Sequence, residues 1–344
     1  MNRVSAASLL SGLVMALGLA ATGASAETKA PVALIIAQGG LGDQSYNDLA
    51  FSGFKLGMKE TGLDGKPVES KDVVAQANEI LRRASDSGFG LIVDLEYSHG
   101  ETLAEVAKDY PKVDYVILNQ VRKGANVTSV LFQEQEGSYL AGALAAMVAT
   151  EGAKSGATPV IGVIGGFKST GIDKFIVGYI QGAHDVNPKV DVKVAYSNSF
   201  GDPAKGLQMA KAMYEEGAAV VYQVAGGTGI GIIQAAKEEG KYAIGVDTDQ
   251  DGLAPGSVLV SVIKRTDVAV ETVMKDYAAG TLKGDTSIVL GLKEGGMDLS
   301  DMKYTASKVP AADLAKIKDM KAKIISGQIK VWNVVDQGYP SWFK

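Results

Sequence analysis

Short apolar runs alternate with longer amphipathic segments along most of the chain. Val32–Ala37, Gly90–Leu95, Tyr115–Leu118, Val160–Ile164, Ala219–Val224 and Tyr242–Val246 are nearly continuous in apolar residues and of strand length, as strands buried on both faces of a parallel sheet require. Between them, Ser45–Glu60, Ala75–Ser87, Glu101–Asp109, Glu134–Thr150, Asp173–Val186, Pro203–Glu216 and Ile230–Glu239 carry helical periodicity.

Repeated strand-helix-strand units with right-handed crossovers build doubly wound parallel sheets, in which ligands sit beyond the carboxyl ends of the strands. The pattern runs from Val32 to about Leu131 and again from about Val160 to Val262, with a helix between and one or two further crossings after Lys264. The chain therefore reads as two α/β lobes joined by a hinge. One lobe is expected to hold residues 31–131 with about 264–288, and the other residues 132–263 with about 289–344. Where strands end, the sequence turns glycine-rich or polar, at Gly39-Gly40-Leu41-Gly42-Asp43, Gly165-Gly166-Phe167, Gly226-Gly227-Thr228-Gly229 and Asp247-Thr248-Asp249-Gln250-Asp251-Gly252. These loops are expected to share one cleft.

The first 26 residues follow a different pattern. Arg3 supplies a positive start, Leu9 to Ala20 an apolar core, and Ala24-Ser25-Ala26 a small-residue cleavage site, which together predict a signal peptide and export to the periplasm with cleavage after Ala26. A membrane anchor would need roughly 20 strongly apolar residues, whereas glycines and small polar residues interrupt this segment. The absence of cysteine excludes disulfides, thiolate metal sites and a lipid-attachment residue. A net charge of -5, with no Lys/Arg cluster, argues against a nucleic-acid partner.

Three segments imitate cofactor or metal signatures and fail on inspection. Gly162 to Ser169 resembles a phosphate loop, but Phe167 stands where a glycine must precede the lysine. Gly227-Thr228-Gly229-Ile230-Gly231 lacks the third glycine of a dinucleotide fingerprint, Ile232 occupying that position. Asp247-x-Asp249-x-Asp251-Gly252 begins like a calcium loop, yet its twelfth position is Val258 instead of glutamate. With only His99 and His184 besides, no catalytic constellation and no metal ligand set emerges, and no cofactor is expected. His184 reads as a surface residue; His99, after the Leu91–Leu95 strand, is a weaker candidate for the cleft.

The order of motifs resembles the basic membrane protein family of ABC-transporter binding proteins, whose best-described members are purine nucleoside receptors. The resemblance rests on Asp43-Gln44-Ser45-Tyr46-Asn47, Glu136-Gly137-Ser138-Tyr139-Leu140-Ala141-Gly142, Gly165-Gly166 with Phe175 and Gly178, Ser199-Phe200-Gly201-Asp202-Pro203, Ala225-Gly226-Gly227-Thr228-Gly229, Gly245-Val246-Asp247-Thr248-Asp249-Gln250 and Ser261-Val262-Ile263-Lys264-Arg265. It implies a type I periplasmic-binding-protein fold, α/β in class, that closes on a nucleoside, acts with a membrane ABC permease and is monomeric. The implied ligand shell comprises Gln38, Asp43, Tyr46, Asn47, Glu96, Asn119, Phe175, Phe200, Gly226, Asp247 and Lys264.

Elementary chemistry supports parts of that shell. Tyr46 and Phe200, one from each lobe, suit a flat ring held between them. Asp247 beside Lys264 suits vicinal hydroxyls, the carboxylate accepting two hydrogen bonds while the ammonium donates and balances the buried charge. The chain departs from the purine-binding pattern at Ala37, followed by Gln38, and at Asn119, where relatives resemble one another in carrying base-directed aspartates. Glu96 either brings a new carboxylate into the cleft or points to solvent. A nucleoside is therefore the first expectation for the ligand and a free sugar or polyol the second; a periplasmic sensor remains an alternative partner to a permease.

Overall fold

The protein is described by a computed structural model covering residues 29–343, so the segment expected to act as a signal peptide lies outside the described residues. The chain begins β1 (Val32–Ile35), α1 (Tyr46–Thr61), β2 (Gly65–Val68), α2 (Ala77–Asp86), β3 (Leu91–Asp94), α3 (Gly100–Asp109), β4 (Asp114–Leu118) and β5 (Val127–Phe132). It continues with α4 (Glu134–Gly152), β6 (Val160–Gly165), α5 (Thr170–Val186), β7 (Asp191–Tyr196), α6 (Pro203–Glu215), β8 (Ala218–Val224), α7 (Thr228–Glu238), β9 (Tyr242–Asp247) and β10 (Val258–Lys264). Last come α8 (Thr266–Ala279), β11 (Thr286–Leu290), β12 (Met297–Leu299), α9 (Ala311–Ile325) and α10 (Val334–Gln337).

Two six-stranded sheets result, ordered β11-β5-β4-β3-β1-β2 and β12-β10-β9-β8-β6-β7. The first is parallel throughout, and the second is parallel except for β12, which runs antiparallel to β10. The apolar runs read from the sequence are the inner strands: every residue of β1 and β3 is buried, as are Tyr115–Leu118 of β4. The strands not read as apolar runs lie mostly at the edges. Pro67 in β2 and the alternation Asp191-Val192-Lys193-Val194 in β7 suit strands with one open side.

Helices cover the sheets, and the tightest pair is α4 on α5. A Cβ on Gly142 would collide with the Tyr179 backbone, and one on Gly182 with that of Tyr139, so glycine at both positions lets the two helices touch through their backbones. Asp202 caps α6, accepting from Lys205 N at 3.0 Å, with Pro203 in the first turn. The chain passes between the sheets at Phe132–Glu134, Lys264–Thr266 and Leu290–Met297, so two lobes are linked by adjacent crossings. No helix among the described residues is long and apolar enough to cross a membrane.

Candidate ligand-binding cleft

Each sheet reverses its strand order once, between β1 and β3 in one and between β6 and β8 in the other. At such switch points the helices diverge to opposite faces and leave a crevice at the carboxyl ends of the strands. The two crevices face each other and enclose a cavity of about 270 Å³. Ala37, Gln38, Leu95 and Glu96 line it from the first sheet, and Phe167, Val224 and Gly226 from the second. Its size, at the small end for small-molecule sites, admits one compact solute. Every residue placed in the ligand shell from the sequence lines this cavity.

The lobes touch around it. Ser45 Oγ, at the start of α1, donates to Asp247 Oδ2 at 2.5 Å; Gln250 Nε2 donates to Gln44 O at 2.9 Å; and the hydroxyls of Tyr97 and Thr170 are 2.8 Å apart. Tyr46 and Phe200 bring aromatic surface from opposite lobes, and Phe167 extends it, its ring centroid 5.5 Å from that of Phe200.

Lys264, the last residue of β10, is buried among rings. Its Nζ lies 5.1, 4.9 and 5.5 Å from the ring centroids of Tyr46, Phe132 and Phe175. It donates to Asn119 Oδ1 at 2.7 Å and to Glu134 Oε1 at 2.9 Å. Glu134 in turn meets Lys174 Nζ at 2.5 Å, and Lys174 also donates to Phe132 O at 2.5 Å. Burial alone would raise the Glu134 carboxyl, but the two ammonium groups outweigh it and hold it below the ordinary carboxylate value. The direct ion-pair partner of Lys264 is thus Glu134, with Lys174 behind it, while Lys264 still acts on the Asp247 charge without touching it.

Asp247 is left in a different condition. Burial pushes its carboxyl up to about 6, against the opposing pull of Lys264 and the Ser45 hydrogen bond. Asp247 lines the cavity; its Oδ2 is occupied by Ser45, whereas Oδ1 accepts no hydrogen bond from the described residues. Asp247 and Asn119 both hold left-handed backbone, at φ 67° and 70°. Aspartate and asparagine bear that conformation more readily than other side chains, and it turns both at the strand ends toward the ligand space.

Other members of the expected shell line the cavity while being held in place by the surrounding backbone. Asp43 accepts from Ser45 N and Asn47 N at 2.9 Å and from Asp48 N at 3.1 Å, so its carboxylate is committed to the amino end of α1. Asn47 accepts from Ala37 N at 3.0 Å and donates to Gln38 O at 3.3 Å, pinning the end of β1. Tyr46 Oη donates to Leu95 O at 3.1 Å and accepts from Asn119 Nδ2 at 2.9 Å. Gly226 takes φ 53° where β8 turns toward α7.

Glu96 points inward, resolving its two readings: it is 2% exposed and lines the cavity. His99 does not reach the cavity. It is fully buried beneath it, Nδ1 2.8 Å from Asp94 Oδ2 and Nε2 2.7 Å from Val73 O, because the short turn after Glu96 directs it back into the lobe. In the calcium-like segment the carboxylates diverge: Asp247 faces Ser45, while Asp251 accepts from Ser261 and Ser300. Sequence reasoning missed Glu134 and Lys174 as parts of the site, whereas Phe167 lies in a strand-end loop expected at the cleft. A carboxylate opening a helix after an apolar strand was the available signal for Glu134; nothing local marks Lys174, whose partner lies forty positions away.

The family described as ABC transporter substrate-binding protein, PnrA-like, matches residues 30–333. The chain is 34% identical over 321 residues to a CD4+ T-cell-stimulating antigen of Listeria monocytogenes, covering 87% of each. It is 33% identical over 331 residues to the ABC transporter nucleoside-binding protein BmpA of Lactococcus lactis, covering 90% of this chain and 91% of the relative. Among solved structures, an ABC transporter solute-binding protein from Aeropyrum pernix superposes with a TM-score of 0.82 at 30% identity, over 88% of this chain and 93% of that one.

Proposed function

The chain belongs to the PnrA-like family of ABC-transporter substrate-binding proteins, and on that premise we propose that it captures a nucleoside between its lobes by hinge closure in the periplasm and presents it to a membrane permease. The observation that carries the proposal is a cavity that gathers aromatic surface from both lobes beside a buried carboxylate and a buried ammonium. Tyr46 and Phe200 both line it, one from each lobe, and a ring stacked on either would gain about 1 kcal/mol. Asp247 Oδ1, free to accept, and Lys264, fixed nearby, offer the acceptor and donor that a ribose diol needs.

The placement of these groups supports the closure reading. Glu134 and Lys264 flank two of the chain crossings, and Ser45 meets Asp247 across the cleft, so a solute touching both lobes favours the closed arrangement by its differential contacts. Residues 31–131 with about 264–288 would move against the remainder. The leader-like first 26 residues support export. The work of such a protein is capture and release, with no bond made or broken.

A thermal-shift screen against nucleosides, bases, pentoses and polyols tests the proposal. A ligand at roughly 100 times its Kd adds about 2.7 kcal/mol of stability. Large shifts with nucleosides support the reading; shifts confined to sugars or polyols would assign the cavity to a free carbohydrate and leave the aromatic pair without a base.

A further inference from the structure

Glu96 and Gln38 form a closed unit at the wall of the cavity. Glu96 Oε2 accepts from Gln38 N at 3.0 Å; Oε1 accepts from Gln38 Nε2 at 3.3 Å, Ser98 N at 3.0 Å and Ser98 Oγ at 2.7 Å. The carboxylate is therefore saturated by the protein, although it borders the ligand space. The amide orientation of Gln38 is dictated by the same contact: its NH₂ must face Glu96, since the reverse would set a carbonyl oxygen against a carboxylate. Gln38 Oε1 accepts no hydrogen bond from the described residues.

We propose that Glu96 is a positioning residue that fixes Gln38 as a neutral hydrogen-bond acceptor, and that this acceptor selects nucleosides with an N–H donor on the edge of the base. This inference rests on the nucleoside reading and narrows it. A bare carboxylate would offer the ligand a charged acceptor; with Glu96 saturated by neutral donors, the acceptor left for the ligand is the uncharged amide oxygen of Gln38. A base whose donor is methylated buries Gln38 Oε1 without a partner, which costs more than the hydrogen bond itself contributes. Glu96 acts through Gln38, so its removal frees the amide to rotate and to offer donor or acceptor to the ligand.

The test measures Kd by calorimetry for inosine and N1-methylinosine, uridine and N3-methyluridine, and adenosine and N6,N6-dimethyladenosine. The intact protein is expected to prefer the N–H member of the pair it binds best by about tenfold or more. Glu96→Ala and Gln38→Met are both expected to erase most of that preference, whatever they do to affinity overall, and Glu96→Gln to reduce it. A merely structural role for Glu96 would lower affinity for both members equally and keep their ratio, and that result overturns the inference, as does a parent protein indifferent to methylation. Failure of inosine, uridine and adenosine alike to bind would instead remove the nucleoside reading, and this inference with it.

Discussion

Ser45 Oγ donates to Asp247 Oδ2 at 2.5 Å, joining the first turn of one lobe to a strand end of the other. The contact ties the two lobes at the residue whose other oxygen the proposed function assigns to the ligand. Ser45→Ala is expected to weaken nucleoside binding by about tenfold, the scale of a lost hydrogen bond to a charged group. Calorimetric titration reads the affinity, and solution scattering should show a larger radius of gyration in the variant without ligand.

Asp247 makes binding and stability respond oppositely to pH. Its carboxyl is raised by burial from 3.8 to about 6, so the folded state holds the proton more tightly than the unfolded chain. Ionisation therefore costs stability: the cost is absent below the ordinary value, grows as pH rises toward about 6 and is complete above it. Asp247→Asn should accordingly stabilise the empty protein by up to about 3 kcal/mol at pH 7 and by less than about 1 kcal/mol at pH 4. Ligand affinity, which uses the ionised oxygen, should fall as pH drops below about 6 and be largely lost in the variant. Denaturant titrations at both pH values and a pH series of Kd measurements check the two arms.

Glu134 carries the opposite sign. Two ammonium groups outweigh burial and depress its carboxyl, so its stabilisation is present above the ordinary value and is lost as pH falls through the lowered one. Lys174→Met removes one of these partners and should cost about 3 kcal/mol of stability at pH 7, since part of a buried charge goes unanswered. The deficit should shrink in acid as Glu134 takes up a proton. Lys264→Ala should cost about 2 kcal/mol or more in binding as well, because Lys264 lines the cavity and the proposed function gives it a ligand hydroxyl to meet.

His99 separates structural from ligand-contacting roles. It is buried between Asp94 and the Val73 carbonyl, outside the cavity lining. His99→Leu should destabilise the protein by about 3 kcal/mol by stranding Asp94, yet leave nucleoside affinity unchanged at a temperature where the variant is folded. A selective loss of affinity would place His99 in the site after all.

What the sequence discloses and what it hides divide along physical lines. Strands such as Val32–Ile35 and Leu91–Asp94 are buried on both faces and announce themselves as apolar runs. Gly65–Val68 and Asp191–Tyr196 are edge strands whose open sides carry Lys66 and Lys193, which dilutes the signal. The cavity was legible because its residues follow strand ends, where glycine-rich loops gather. The charge pairing was not: Asp247 and Lys264 stand seventeen positions apart in the sequence, but Lys264 turns to Glu134, which a separate crossing brings beside it. His99 follows the right strand, yet a short turn sends its ring inward.

The central claim is that the aromatic and the polar groups of the cavity act on one molecule, and a calorimetric comparison of one nucleoside with its free base and free ribose tests it most directly. The nucleoside should bind far more tightly than either fragment, because only the joined molecule reaches the Tyr46–Phe200 faces and Asp247 together. Ribose binding as tightly as the nucleoside would contradict the account, leaving the aromatic faces without a role in recognition.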